Sequence, residues 1–222
     1  MTQDRLSDAK NVSDETLRDQ GLDQIGTGKT LVIACGALAR EVLALIEANS
    51  LSHLTLTCLP AILHNTPQKI TPAVEATILK HRAEYEHILV AYGDCGTGGL
   101  LANMCETYGA QMVDAPHCYS FFEGSALFAE RGEVTSFYLT DFLARQFDAF
   151  VWRPLGLDRY PDLLEMYFGN YEKLVYLAQT EDPDLTATAQ ICAKRLGLTF
   201  ERRFTGYGDL DRFLAPEGPA TA

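Results

Sequence analysis

Hydrophobic and polar positions alternate in blocks along this chain. Leu31-Val-Ile-Ala-Cys35 is a continuous apolar run of strand length, and it passes through Gly36 into Leu38, Val42, Leu45 and Ile46, spaced for one face of a helix. Leu54 to Leu59 reads as a second strand, stopped by Pro60. Residues 73–87 carry Val74, Ile78 and Tyr85 at helical spacing, and Ile88-Leu-Val-Ala-Tyr92 is the strongest strand in the chain. That strand runs into Gly93-Asp-Cys-Gly-Thr-Gly-Gly99 and a short helix from Leu100. Strands follow at Met112-Val113, Val134 to Leu139, Leu174 to Ala178 and Thr199 to Phe204, with helices near Asp141 to Phe147 and over Leu185 to Leu196.

Strands separated by helical stretches predict an α/β fold, Rossmann-like, with a mainly parallel sheet flanked by helices. Residues 1–28 lack apolar periodicity and read as a disordered polar tail. Residues 29–215 read as a single α/β domain, with a two-lobed split near residue 150 as the alternative, and 216–222 as a second tail. Trp152 to Tyr171 is aromatic-rich and reads as a helical insertion or cap.

Composition narrows the functions. A formal charge of −12 on 222 residues argues against an electrostatic grip on nucleic acid or anionic lipid. No apolar run approaches the roughly 18–20 residues of a membrane span, and the first residues lack the apolar core of a secretory signal. The expected location is the cytoplasm, where the six cysteines are thiols, metal ligands or packing residues rather than disulfides. The Gly26-Thr-Gly-Lys-Thr30 segment invites a phosphate-loop reading, but Asp23 stands where that motif needs its first glycine and the strand follows the motif instead of preceding it.

The cysteines divide by position. Cys35, Cys95 and Cys118 each fall just beyond a strand, at the carboxyl edge where open parallel sheets place their ligands. Cys58 lies inside a strand, and Cys105 and Cys192 on helices, where a thiol packs as a small hydrophobe. Three thiolates with one open position describe catalytic zinc, and thiolates also hold iron–sulfur clusters. His64 and His117 occur on the same edge as a fourth ligand or as acid–base groups. Gly36, Gly93, Gly96, Gly98 and Gly99 would let backbone approach a bound ion or cofactor and leave N–H groups for an anion. No CxxC pair occurs. A metal-free alternative sets two cysteines across a substrate as an acid–base pair or as nucleophiles, and Asp94-Cys-Gly-Thr-Gly-Gly99 loosely resembles the nucleophile loop of cofactor-independent amino-acid racemases.

Several blocks occur together. They are Ala34-Cys-Gly-Ala-Leu-Ala-Arg-Glu41, Leu59-Pro-Ala-Ile-Leu-His-Asn65 with Pro67, Tyr92-Gly-Asp-Cys-Gly96 with Gly98-Gly99, His117-Cys118 with Gly124, and Tyr167-Phe-Gly-Asn-Tyr171. In this order they resemble the family of domain of unknown function 1638 over roughly residues 30–205. Relatives read His-Asp-Cys where His117 and Cys118 are here adjacent. The resemblance implies a bacterial or archaeal soluble protein, and by association a link to corrinoid-dependent methyl or one-carbon transfer. A corrinoid as cofactor and a corrinoid or methyltransferase protein as partner follow from it. The expectation is therefore a metal-binding α/β protein with Cys35, Cys95 and Cys118 as ligands to zinc or an iron–sulfur cluster. A non-enzymatic metal or corrinoid carrier and a metal-free cysteine enzyme are the alternatives.

Overall fold

The computed structural model describes residues 12–215. They form two compact units. One comprises the chain up to Phe121 together with Asp209 onward, the other Phe122–Gly208. The division lies at residue 121, ahead of the position near 150 that the sequence offered for a split.

The first unit is built on a five-stranded sheet in the order β1-β3-β2-β4-β5, where β1 is Leu22–Gln24, β2 Thr30–Cys35, β3 Leu54–Leu59, β4 His87–Ala91 and β5 Gln111–Met112. β2, β3, β4 and β5 are parallel and β1 runs antiparallel to β3. Leu31, Val32, Ile33 and Ala34 of the central strand are fully buried, as an unbroken apolar run requires when helices cover both faces. α2 (Ala39–Ala48), α3 (Ile70–His81) and α4 (Leu100–Tyr108) follow β2, β3 and β4 in the alternation read from the sequence.

Part of the segment read as a tail is ordered. α1 (Asp14–Asp19) starts at Ser13, whose hydroxyl accepts from the Thr16 N–H, and it buries Leu17. Arg40 holds α1 in place through Asp14 at 3.0 Å and the Val12 carbonyl at 2.9 Å. β1 then pairs with β3, Leu22 opposite Cys58. A six-residue helix and a three-residue strand are too short to raise a periodic signal, and tertiary contacts hold both. Residues 1–11 and 216–222, the remainder of the expected tails, lie outside the described residues.

The second unit holds a separate parallel sheet, β6 (Ser136–Leu139), β7 (Lys173–Ala178) and β8 (Thr199–Phe204), with β7 central. Its helices are α5 (Ser125–Arg131), α6 (Asp141–Arg145), α7 (Leu163–Phe168) and α8 (Pro183–Leu196). Asp182 caps α8 through its carboxylate ahead of Pro183, and Gly197 ends it in the left-handed conformation. The aromatic segment is helical in part, over α7, and a π-helix at Asp148–Trp152 leads into it. Phe168 and Tyr171 of its last motif pack on Phe137 of β6, so that motif builds core. A last helix, α9 (Asp209–Leu214), belongs to the first unit and buries Leu210 and Leu214.

Candidate thiol site

The parallel order β3-β2-β4-β5 brings four consecutive strand ends to one edge of the first unit's sheet. Cys35 ends β2, His64 follows β3 in a 3-10 turn, Cys95 lies beyond β4, and His117-Cys118 lie beyond β5. The edge placement inferred from apolar runs therefore holds for each of them.

Backbone contacts between two loops bring Cys95 to Cys118. The Asp94 N–H donates to the Ala115 carbonyl at 2.8 Å and the Cys95 N–H to the Pro116 carbonyl at 2.9 Å. Gly93 permits that approach, since a Cβ on it would come within 2.7 Å of the His117 carbonyl carbon. The result is a Cys95 Sγ to Cys118 Sγ separation of 3.1 Å between free thiols. Cys95 holds φ +49°, a left-handed conformation that costs a residue with a Cβ about 1–2 kcal/mol.

The two thiols are shifted in opposite directions. A hydrogen bond from Cys118 lowers the Cys95 pKa, against the cost of burial and with help from backbone N–H groups. Cys118 shifts the other way, raised by the same hydrogen bond, by burial and by the charge on Cys95. Ionisation of the pair thus starts on Cys95. Cys35 lies deeper, and burial pushes its thiol up to about 12. Tyr92 is 1% exposed, and a hydrogen bond from its hydroxyl partly offsets the effect of burial on Cys35. Burial foremost, and then the nearby thiols of Cys35, Cys118, Cys58 and Cys95, push the Tyr92 hydroxyl's pKa well up.

His64 and His117 have lowered pKa values, chiefly through burial. His117 further lowers His64, and Asp94 partly offsets the effect on His117. The His117 ring stacks on Tyr119 with centroids 4.8 Å apart.

The glycines serve the loop as well. Gly98 and Gly99 donate their N–H groups to the Asp94 carboxylate at 3.1 and 2.7 Å, and the Thr97 hydroxyl adds a bond at 2.9 Å. These contacts hold Asp94 below the usual carboxylate range, the Gly99 N–H foremost. The N–H groups ahead of α4 that the sequence offered to an anion are thus engaged by a carboxylate of the chain itself. Gly36 meets backbone closely, with the Leu17 carbonyl oxygen 2.3 Å from where its Cβ would stand, and Gly96 lies against Pro67. Asp94 escaped the sequence reading, although an Asp opening a glycine-rich turn before a helix is the signal for such a capture. Beside Gly96 and Thr97, a groove of about 670 Å³ runs between α3 and α4, lined also by Glu75, Leu100, Met104 and Tyr108.

Cys58, Cys105 and Cys192 are buried, and burial raises all three pKa values, Cys105 and Cys192 to about 11. Among the described residues, no group of three or more His, Cys, Asp and Glu side chains is arranged as a metal-ligand set. The sulfurs of Cys95 and Cys118 are in contact.

The family described as "Protein of unknown function (DUF1638)" matches residues 58–214. The chain belongs to this family. The match takes in His64, Cys95, His117 and Cys118, whereas Cys35 and Gly36 precede it. Comparison of this DUF1638 member with curated proteins and with solved structures gave no match. No helix among the described residues is long and apolar enough to cross a membrane.

Proposed function

We propose that this DUF1638 protein is a thiolate metal-binding protein whose centre is the Cys95–Cys118 pair, with Cys35 as third sulfur and His64 and His117 as the nitrogen donors at hand. The observation that carries this reading is the 3.1 Å contact between two free, part-buried thiols at the ligand-binding edge of a parallel sheet. Two thiolates on one tetrahedral zinc lie about 3.8 Å apart, given Zn–S bonds of about 2.3 Å. The pair is within an ångström of that spacing.

The surrounding chemistry fits a soft cation. The hydrogen bond between the thiols favours a thiolate on Cys95, and burial keeps both imidazoles inclined to the neutral form that ligates. The buried Tyr92 hydroxyl lies beside Cys35, and a hydrogen bond from it favours a thiolate there, against the cost of burial. Asp94 adds negative charge next to the pair and fills the turn ahead of α4, which disfavours an anionic ligand there. Zinc is the first choice, with an iron–sulfur cluster second, since clusters usually take four cysteine ligands and three lie on this edge. When bound, the metal supplies the positive charge that keeps a coordinated thiol ionised at neutral pH.

The role we assign is methyl or one-carbon transfer alongside a corrinoid or methyltransferase protein, as the family resemblance implies. In a non-enzymatic variant of this reading, the centre carries metal or corrinoid to a partner, and tight binding without turnover would distinguish it. A metal-free enzyme with its two cysteines on opposite faces of a substrate carbon is disfavoured, because sulfurs 3.1 Å apart leave no room for that carbon.

Anaerobic purification followed by elemental analysis and a visible spectrum tests the reading. Near-stoichiometric zinc supports it, and brown colour with iron and sulfide shifts it to the cluster. A protein that holds neither, and takes up neither when the reduced chain is loaded, overturns it.

A further inference from the structure

We propose that Cys95 and Cys118 also undergo reversible thiol–disulfide exchange with small disulfides, and that the oxidised pair no longer accepts metal. The proposal rests on the reading of this pair as the centre and names its regulation. A disulfide needs its sulfurs about 2.0 Å apart, and two thiolates on zinc about 3.8 Å. The observed 3.1 Å lies between these two spacings. The two states exclude each other, because a sulfur in a disulfide is no longer a thiolate donor.

Backbone contacts hold together the two loops that carry the pair. The Asp94–Ala115 and Cys95–Pro116 hydrogen bonds zip the two loops, and the left-handed backbone at Cys95 fixes the direction of its Cβ. Access differs among the six cysteines. Cys95 and Cys118 are part-exposed, and Cys95 is followed by Gly96, exposed and without a side chain, while Cys35, Cys58, Cys105 and Cys192 are buried. Exchange is thereby confined to one pair.

The reaction balances with a low-molecular-weight disulfide as oxidant. The Cys95 sulfur attacks one sulfur of the small disulfide, whose S–S bond breaks as a mixed disulfide forms, and the first small thiolate leaves with the proton Cys95 gave up. The Cys118 sulfur then attacks Cys95 Sγ and expels the second small thiolate, which takes the Cys118 proton. Two cysteine thiols lose two electrons, and the small disulfide becomes two thiols.

The test treats the reduced, metal-free full chain with glutathione disulfide, then alkylates it under denaturing conditions and maps the peptides. We expect two of the six thiols to be lost to a Cys95–Cys118 link that dithiothreitol reverses. We also expect zinc uptake by the oxidised chain to fall at least tenfold. Cys118→Ser should retain one glutathione on Cys95, with its fold checked by circular dichroism, and the wild-type map stands without it. Six free thiols after treatment, a link through another cysteine, or zinc uptake by the oxidised chain equal to that of a reduced chain that binds zinc would overturn the proposal. If the link forms in a chain that takes up no metal in either state, the exchange stands and the metal reading falls. If the reduced chain binds zinc but forms no link, the exchange alone falls.

Discussion

Gly93 is bare where the backbone of His117 crosses it, and a Cβ at that position would lie 2.7 Å from the His117 carbonyl carbon and 2.9 Å from its Cα. This close passage, together with the hydrogen bonds from Asp94 and Cys95 to Ala115 and Pro116, seats Cys118 against Cys95. The thiol contact is thus a consequence of a glycine two residues from one cysteine and one backbone crossing from the other.

Gly93→Ala should force the two loops apart. The expected cost is about 2–3 kcal/mol, the upper range for overpacking, because backbone atoms and no flexible side chain oppose the methyl group. Gly98→Ala is the comparison. It also strains a positive φ, but nothing lies within 4 Å of its Cβ. Chemical denaturation should show a loss of about 1 kcal/mol for Gly98→Ala. Peptide mapping after mild oxidation should show the Cys95–Cys118 link kept in Gly98→Ala and much reduced in Gly93→Ala.

Cys95 reverses the usual order of substitutions. Replacing a residue by glycine normally costs stability, yet at φ +49° a Cβ is the strained choice. Cys95→Gly should therefore be more stable than Cys95→Ala by about 1 kcal/mol, read from denaturation midpoints at equal slope. Equal stabilities would mean that the left-handed conformation is not held in solution.

The second unit carries a charge cluster with a definite pH dependence. Arg203 bonds Glu133 at 2.8 Å, Glu201 at 2.6 Å and Glu123 at 2.9 Å, and Lys173 bonds Glu133 at 2.8 Å. Hydrogen bonds from Arg203, then from Lys173 and Tyr138, hold Glu133 well below its ordinary 4.5, and Arg203 and Lys173 lower Glu201. A carboxylate depressed in the folded state stabilises fully above its unfolded pKa. That contribution fades as pH falls below about 4.5 toward the folded value. Glu133→Gln should cost about 1–3 kcal/mol at pH 7, discounted from a fully buried pair for partial exposure. The gap between variant and wild type should narrow steadily from pH 5 to pH 3 in acid denaturation.

Much of this fold was legible in the sequence because its strands are unbroken apolar runs, and such runs mark strands buried on both faces. From β2 and β4 alone, Cys35 and Cys95 could be set at a carboxyl edge, and His64 and Cys118 followed from their own strands. The second sheet was not legible. Local periodicity marks strands but not which sheet they join, and β6 pairs with β7 instead of extending the sheet that ends at the two-residue β5. α1 and β1 escaped because Arg40 and β3, distant in sequence, order them. At the site the residue types were readable, whereas the approach that selects Cys95 and Cys118 over Cys35 depends on a backbone crossing at Gly93, which a glycine-rich stretch does not disclose.

Cobalt(II) titration of the reduced full chain tests the central claim most directly, because thiolate ligation gives a sulfur-to-cobalt charge-transfer band in the near ultraviolet. The account predicts saturation near one equivalent in the wild type, loss of the band in Cys95→Ser and in Cys118→Ser, and no change in Cys105→Ser. A wild-type chain without the band, or Cys95→Ser and Cys118→Ser variants that keep it at full intensity, would contradict the assignment of this pair as the metal-binding centre.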